Sequence, residues 1–146
     1  MHVELDQLGD ALEFNARNAS GYDFSLTSDP DGDGVSPMEM VALGLGGCSS
    51  IDILSILEKQ RQPVEQFSVD VDAVRADDQV PAVFTRMHVH YEIDGEVEPE
   101  KVRRAVELSL EKYCSVSHML ESTVTISYAF TVNGTEYDGA IREAAE

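Results

Sequence analysis

The residues in this chain best able to do chemistry are two cysteines, Cys48 and Cys114, separated by 66 residues. Thiolate is the nucleophilic and oxidisable form of cysteine, so two thiols can work as a redox pair; two apolar-packed thiols can equally be inert filler. Count alone leaves both open. The neighbours argue for reactivity. Cys48 lies in Gly44-Leu45-Gly46-Gly47-Cys48-Ser49-Ser50, where glycines leave room for a substrate beside the sulfur. Cys114 lies in Tyr113-Cys114-Ser115-Val116-Ser117, where one helix stops and another turn can begin. A cap at Ser115 or Ser117 would set Cys114 near a helix N-terminus, whose partial positive charge favours thiolate.

Cys48 lies about ten residues inside its helix and gains little from that dipole, so it needs a nearby cation. Before Lys59 the only strongly basic residue is Arg17. It alternates away from Phe14 and Ala16, so its plain reading is a solvated strand residue. Glu39, three residues after Ser36, reads as a capping-box acid. His88 and His90 share a strand face and could hold a metal with a cysteine. Arg86 and Glu92 share that face too, which reads as a solvated stripe. His118 is close to Cys114 in sequence and reads as a helix-surface residue. Asp29-Pro30-Asp31-Gly32-Asp33-Gly34 matches the first half of a calcium loop, but Met40 stands where the bidentate Glu belongs. An acidic turn is the expectation, with no metal and no cofactor.

The elements that must position these residues follow from periodicity. Val3 and Leu5, then Leu12, Phe14 and Ala16, then Tyr22, Phe24 and Leu26 alternate with polar neighbours, predicting a three-strand meander with one buried face. Ser36-Pro37 opens a long apolar helix reaching about Arg61. It has no polar face, so it is expected to be central. Gly44, Gly46 and Gly47 each cost ~1 kcal/mol there, so something must approach its backbone closely. Phe67 to Ala73 and Val83 to Ile93 alternate as a long hairpin. Val102, Ala105, Val106, Ser109, Leu110 and Tyr113 make a helical stripe, and Val124 to Val132 alternate as a last strand. The tail from Ala140 to Glu146 is expected to fray. The order βββ-α-ββ-α-β predicts an α+β fold with largely antiparallel sheets around a central apolar helix, as one domain over residues 1–146.

Composition narrows the function. The 146 residues carry a formal charge of −18, from 28 acids against 10 bases, three of them lysine. Such a surface repels phosphate, so a nucleic-acid partner is excluded. No apolar run approaches the ~20 residues of a membrane span and no secretory leader opens the chain, so a cytoplasmic protein is expected. Heavy acid with scarce lysine points to a halophile's high-salt cytoplasm, where screening relieves the self-repulsion.

Two segments together resemble the OsmC/Ohr superfamily: Ser36-Pro37-Met38-Glu39 through Gly46-Gly47-Cys48 to Ile53-Leu54-Ser55-Ile56-Leu57, and Glu111-Lys112-Tyr113-Cys114-Ser115-Val116-Ser117. The resemblance implies an interlocked homodimer with sites at the subunit interface. It implies that Cys48 attacks an organic hydroperoxide and becomes a sulfenic acid, which Cys114 resolves to a disulfide. A dithiol, either a small molecule or a lipoyl- or thioredoxin-type protein, then reduces the disulfide, with no metal or flavin required. The Ohr branch has a Glu ten residues before the first cysteine, paired with an Arg. Here Met38 holds that place, Glu39 follows it, and Arg17 stands as the Arg by elimination. The alternative is a non-catalytic module holding a small apolar or acyl ligand at the dimer interface.

Overall fold

The computed structural model describes residues 1–144, so Ala145 and Glu146 of the expected frayed tail lie outside the described residues. The chain forms two compact units, Met1–Val41 and Ala42–Glu146.

The first unit is the meander. Strands β1 (Val3–Gln7), β2 (Glu13–Asn18) and β3 (Asp23–Thr27) pair antiparallel in that order. The β2–β3 turn closes where Gly21 takes φ 83° and the Asn18 carboxamide oxygen accepts the Ser20 and Tyr22 backbone N–H groups; this is a conformation glycine adopts without a Cβ penalty. Register puts Leu5, Ala16 and Phe24 in one row of the apolar face. That face is less covered than expected. Ala16 is buried, whereas Val3, Leu5 and Phe14 remain exposed, because one three-stranded sheet has nothing of its own to lay over them.

Helix α1 (Pro37–Lys59) begins in the first unit and continues into the second. Its start is the expected capping box: Ser36 N–H donates to Glu39 Oε2 at 2.7 Å, and Glu39 N–H donates to Ser36 Oγ at 3.2 Å. Its end is a Schellman turn, with Gln62 N–H on the Leu57 carbonyl and Arg61 at φ 56°. At 23 residues α1 has the length and apolarity of a membrane span by those two criteria, which corrects the expectation that no such run exists. One face of it is buried, with Leu45, Ile53 and Leu57 at the centre, while Leu43, Ile51 and Leu54 are exposed.

In the second unit, strands β4 (Val64–Arg75), β5 (Phe84–Gly95), β6 (Thr125–Val132) and β7 (Thr135–Arg142) form one sheet in that order. β5 and β6 run parallel because helices connect them, and the other pairs are antiparallel. Met87, Val89, Tyr91, Ile93, Ile126, Tyr128, Phe130 and Val132 make the buried face. The alternation slips at the start of β5, where Phe84 is buried and Val83 exposed. A register irregularity opposite Val74 and Arg75 is the cause. Strand β7 takes up the first three residues of the expected frayed tail, Ala140 to Arg142. Ile141 and Arg142 are held in the ladder against Ser127 and Ile126, a pairing no local pattern announced.

Helix α2 (Pro99–Leu108) runs into a π-helical turn, Ser109–Tyr113, and then α3 (Ser115–Leu120). In that turn the Cys114 N–H reaches back five residues to the Ser109 carbonyl at 2.8 Å. The wider turn rotates the stripe, so Leu110 is buried and Tyr113 is half-exposed. Such turns frequently interrupt helices at functional sites.

Candidate active site

Of the three glycines of α1, only Gly46 is approached as closely as the cost of all three had suggested. A Cβ on Gly46 would sit 3.0 Å from a Val71 methyl, so strand β4 is what approaches this helix closely. Gly44 faces Val116 of α3, and Gly47 faces open space beside Cys48.

Cys48 is half-buried and Cys114 fully buried, both as free thiols. Their sulfurs and a carboxylate oxygen of Asp52 all lie within 4.8 Å of one another. Cys48 and Asp52 are i and i+4 on α1, so they share a face. Cys114 arrives from the far side on the π-helical turn. Ser109 of that turn donates its hydroxyl to the Ser49 carbonyl at 3.2 Å and lies 3.3 Å from Asp52 Oδ2. Beneath them Tyr91 donates to Ser49 Oγ at 2.7 Å, and Ser49 donates to the Leu45 carbonyl at 2.8 Å. A chain of hydroxyls therefore fixes α1 to both the sheet and the turn. Burial pushes the Tyr91 phenol well above its ordinary value, against the opposing pull of the Ser49 bond.

Cys114 caps α3 itself: the Ser117 N–H donates to its Sγ at 3.4 Å. The expectation that this helix end would favour thiolate needs correction. Burial pushes the Cys114 thiol up to about 12, the Ser117 N–H pulls it down, and the neighbouring Cys48 pushes it up again. One weak bond from a short helix does not offset the loss of water. Behind the cap, Arg142 of β7 donates to the Leu110 carbonyl, lies 3.4 Å from Ser117 Oγ and pairs with Glu121. It steadies the segment carrying the second cysteine.

The other singled-out residues have plain partners. Glu39 is engaged with Ser36, whose backbone N–H, then hydroxyl, holds the carboxyl below its usual range. Arg17 lies in register between Glu4 and Asp23 on its own sheet. His88 and His90 bond separately to Ser127 and Thr131, each at 2.8 Å. His118 bonds Glu121 at 2.9 Å. Asp29 accepts from the Asp31 N–H at 3.0 Å, the acidic turn expected. Sequence reasoning missed Asp52, Ser109 and Arg142. Asp52 carried a signal, being the only charged residue between Met40 and Leu57; the other two carried none.

A model of the OsmC-like protein family matches residues 30–129, and the chain belongs to that family. Among curated proteins it is 40% identical to protein YhfA of Escherichia coli strain K12 over 124 residues, covering 84% of this chain and 92% of that protein. Its fold is shared with a hypothetical protein from Aquifex aeolicus VF5, at TM-score 0.76 and 29% identity over 90% of this chain and 96% of that one. It is shared also with a Legionella pneumophila organic hydroperoxide resistance protein OsmC, at TM-score 0.70 and 16% identity over 90% and 96% of the two chains.

Proposed function

We propose that this protein is a thiol-dependent peroxidase that reduces organic hydroperoxides in oxidative-stress defence. The observation that carries this is the pairing of a half-exposed Cys48 with a buried Cys114, their sulfurs within 4.8 Å of each other. In this reading Cys48 sulfur attacks the distal peroxide oxygen and the O–O bond breaks. The thiol proton goes to the departing alkoxide, giving an alcohol and a Cys48 sulfenic acid. Cys114 sulfur then displaces that hydroxyl as water and the disulfide forms. A bond of ~2.05 Å requires the sulfurs to close by a few ångströms at most. A dithiol, small or carried by a lipoyl- or thioredoxin-type protein, resets the pair. The half-buried Cys48 beside the open flank of Gly47 suits the first step. A buried thiol that keeps its proton suits Cys114 as the partner that waits.

The working form in this reading is a homodimer in the cytoplasm, with residues 1–146 acting as one domain and the acidic surface suited to high salt. Leu43, Ile51 and Leu54 leave an exposed apolar stripe on α1 that a second copy would cover. Glu39 and Arg17 are retained as the groups that would activate Cys48 once the dimer forms. A second reading, a binding module for a small apolar or acyl ligand, is favoured by a cleft of about 380 Å³. Asp52, Ile56, Lys59, Leu108 and Tyr113 line it, and its size is that of a small-molecule site.

Cys48→Ser should abolish consumption of an organic hydroperoxide. Cys114→Ser should react once and leave a sulfenic acid that dimedone traps. If the wild type turns over no hydroperoxide with any dithiol, the peroxidase reading falls and the binding module replaces it.

A further inference from the structure

We propose that Cys48, Cys114 and Asp52, when reduced, form a binding site for a thiophilic divalent cation of the zinc type, and that oxidation of the cysteine pair releases the ion. Three donor atoms, two sulfurs and one carboxylate oxygen, all within 4.8 Å of one another, make the site. Zinc takes sulfur at ~2.3 Å and carboxylate oxygen at ~2.0–2.2 Å in a tetrahedron. An ion at the centre of this triangle draws the donors inward by under about an ångström, within the reach of side-chain rotation. The fourth position is left for water or a small ligand.

Several features suit a bound cation. Cys48 and Asp52 occupy i and i+4 on one helix face, so two of the three ligands are already in register. The Ser109 hydroxyl lies 3.3 Å from Asp52 Oδ2, where turning its proton from the Ser49 carbonyl would give the kind of outer bond that orients a ligating carboxylate. The half-buried Cys48 and Asp52 give the ion a way in, while buried Cys114 closes the far side. The chain's charge of −18 gathers cations. Two thiolates select a soft or borderline ion over magnesium or calcium. Binding releases both thiol protons: two thiols, one carboxylate and M²⁺ give a bis-thiolate complex and two H⁺.

The same sulfurs cannot both ligate and be bonded to each other. Diamide takes two electrons from the thiolates and two protons from water, forming the Cys48–Cys114 bond and a hydrazine, and M²⁺ leaves. An organic hydroperoxide would do likewise, yielding alcohol and water. The site therefore ties ion release to the redox state of the pair. The inference rests on the geometry of the three donors and does not require hydroperoxide turnover.

The reduced protein, free of oxygen, should be titrated with Co²⁺ and then Zn²⁺. One Co²⁺ per chain should bind, with sulfur-to-cobalt charge-transfer absorption and the visible bands of a tetrahedral centre. Excess Mg²⁺ or Ca²⁺ should leave both unchanged, and diamide should release the ion as the disulfide forms. Cys48→Ser and Cys114→Ser should each lose most of the charge-transfer band. Asp52→Asn, an isosteric change at a half-exposed position, should weaken binding by at least the ~10–100-fold expected for a supporting residue, and Ser109→Ala should fall in that range. Absence of charge-transfer absorption would overturn the site. Unchanged affinity in Asp52→Asn would reduce it to a bare dithiol and overturn it equally, and an ion retained after diamide would overturn the redox gating. Hydroperoxide consumption, measured separately, decides the peroxidase reading whichever way the titration comes out.

Discussion

Ser109 donates its hydroxyl to the Ser49 carbonyl at 3.2 Å, tying the helix that carries Cys48 to the turn that delivers Cys114. The same hydroxyl lies 3.3 Å from Asp52 Oδ2. A buried serine that is neither nucleophile nor base therefore helps hold the two sulfur-bearing segments together. Ser109→Ala removes the one hydroxyl proton that the Ser49 carbonyl and the Asp52 carboxylate share. It should cost about 1–3 kcal/mol in urea unfolding and slow disulfide closure by diamide. Unchanged midpoint and closure rate would show that the helices are held together elsewhere.

Tyr91 offers a test in pH. Its ring is fully buried and its phenol is raised by that burial. A group whose folded value lies above its unfolded value stabilises the protein fully below the unfolded value, ~10 for tyrosine, and loses that contribution as pH rises toward the folded value. In a spectrophotometric titration Tyr91 should therefore ionise last of the five tyrosines, together with unfolding. Tyr91→Phe should remove that late phase and cost about 1 kcal/mol, the net worth of the Ser49 bond. A phenolate signal complete near pH 10 in folded protein would contradict the burial.

Two neighbouring glycines should respond oppositely to alanine. At Gly47 a Cβ meets nothing within 4 Å, so Gly47→Ala should stabilise α1 by about 1 kcal/mol. At Gly46 the Cβ would press a Val71 methyl at 3.0 Å and approach Val69 at 3.8 Å. There the helical gain is offset by overpacking of about 1–3 kcal/mol. Denaturant midpoints decide, and equal stabilisation by both substitutions would mean that β4 yields freely to α1.

Salt should matter strongly. With 28 acids and 10 bases, repulsion is long-ranged when the Debye length is ~30 Å at 0.01 M and confined when it is ~10 Å at 0.1 M. The melting temperature should climb across that interval. A flat response would remove the argument for a high-salt habitat.

The sequence by itself determined most of the elements and the two sulfurs. The apolar helix with its Ser36–Glu39 cap, the alternating strands, the α+β class and the prominence of Cys48 all follow from spacing and local chemistry, which act over a few residues. Only the tertiary structure decided what surrounds those sulfurs. Asp52 becomes part of the site because the π-helical turn brings Cys114 to its side, and that turn leaves no mark in a 3.6-residue period. Arg142 becomes a brace for Leu110 and Ser117 because β7 pairs with β6, a partnership between strands that a weakly apolar tail does not advertise. The balance at Cys114 shows the same division. Its sequence position foretold a helix end, which favours thiolate, and the fold supplied burial, which opposes it more strongly. Burial is the sum of many distant contacts, and no local pattern contains it.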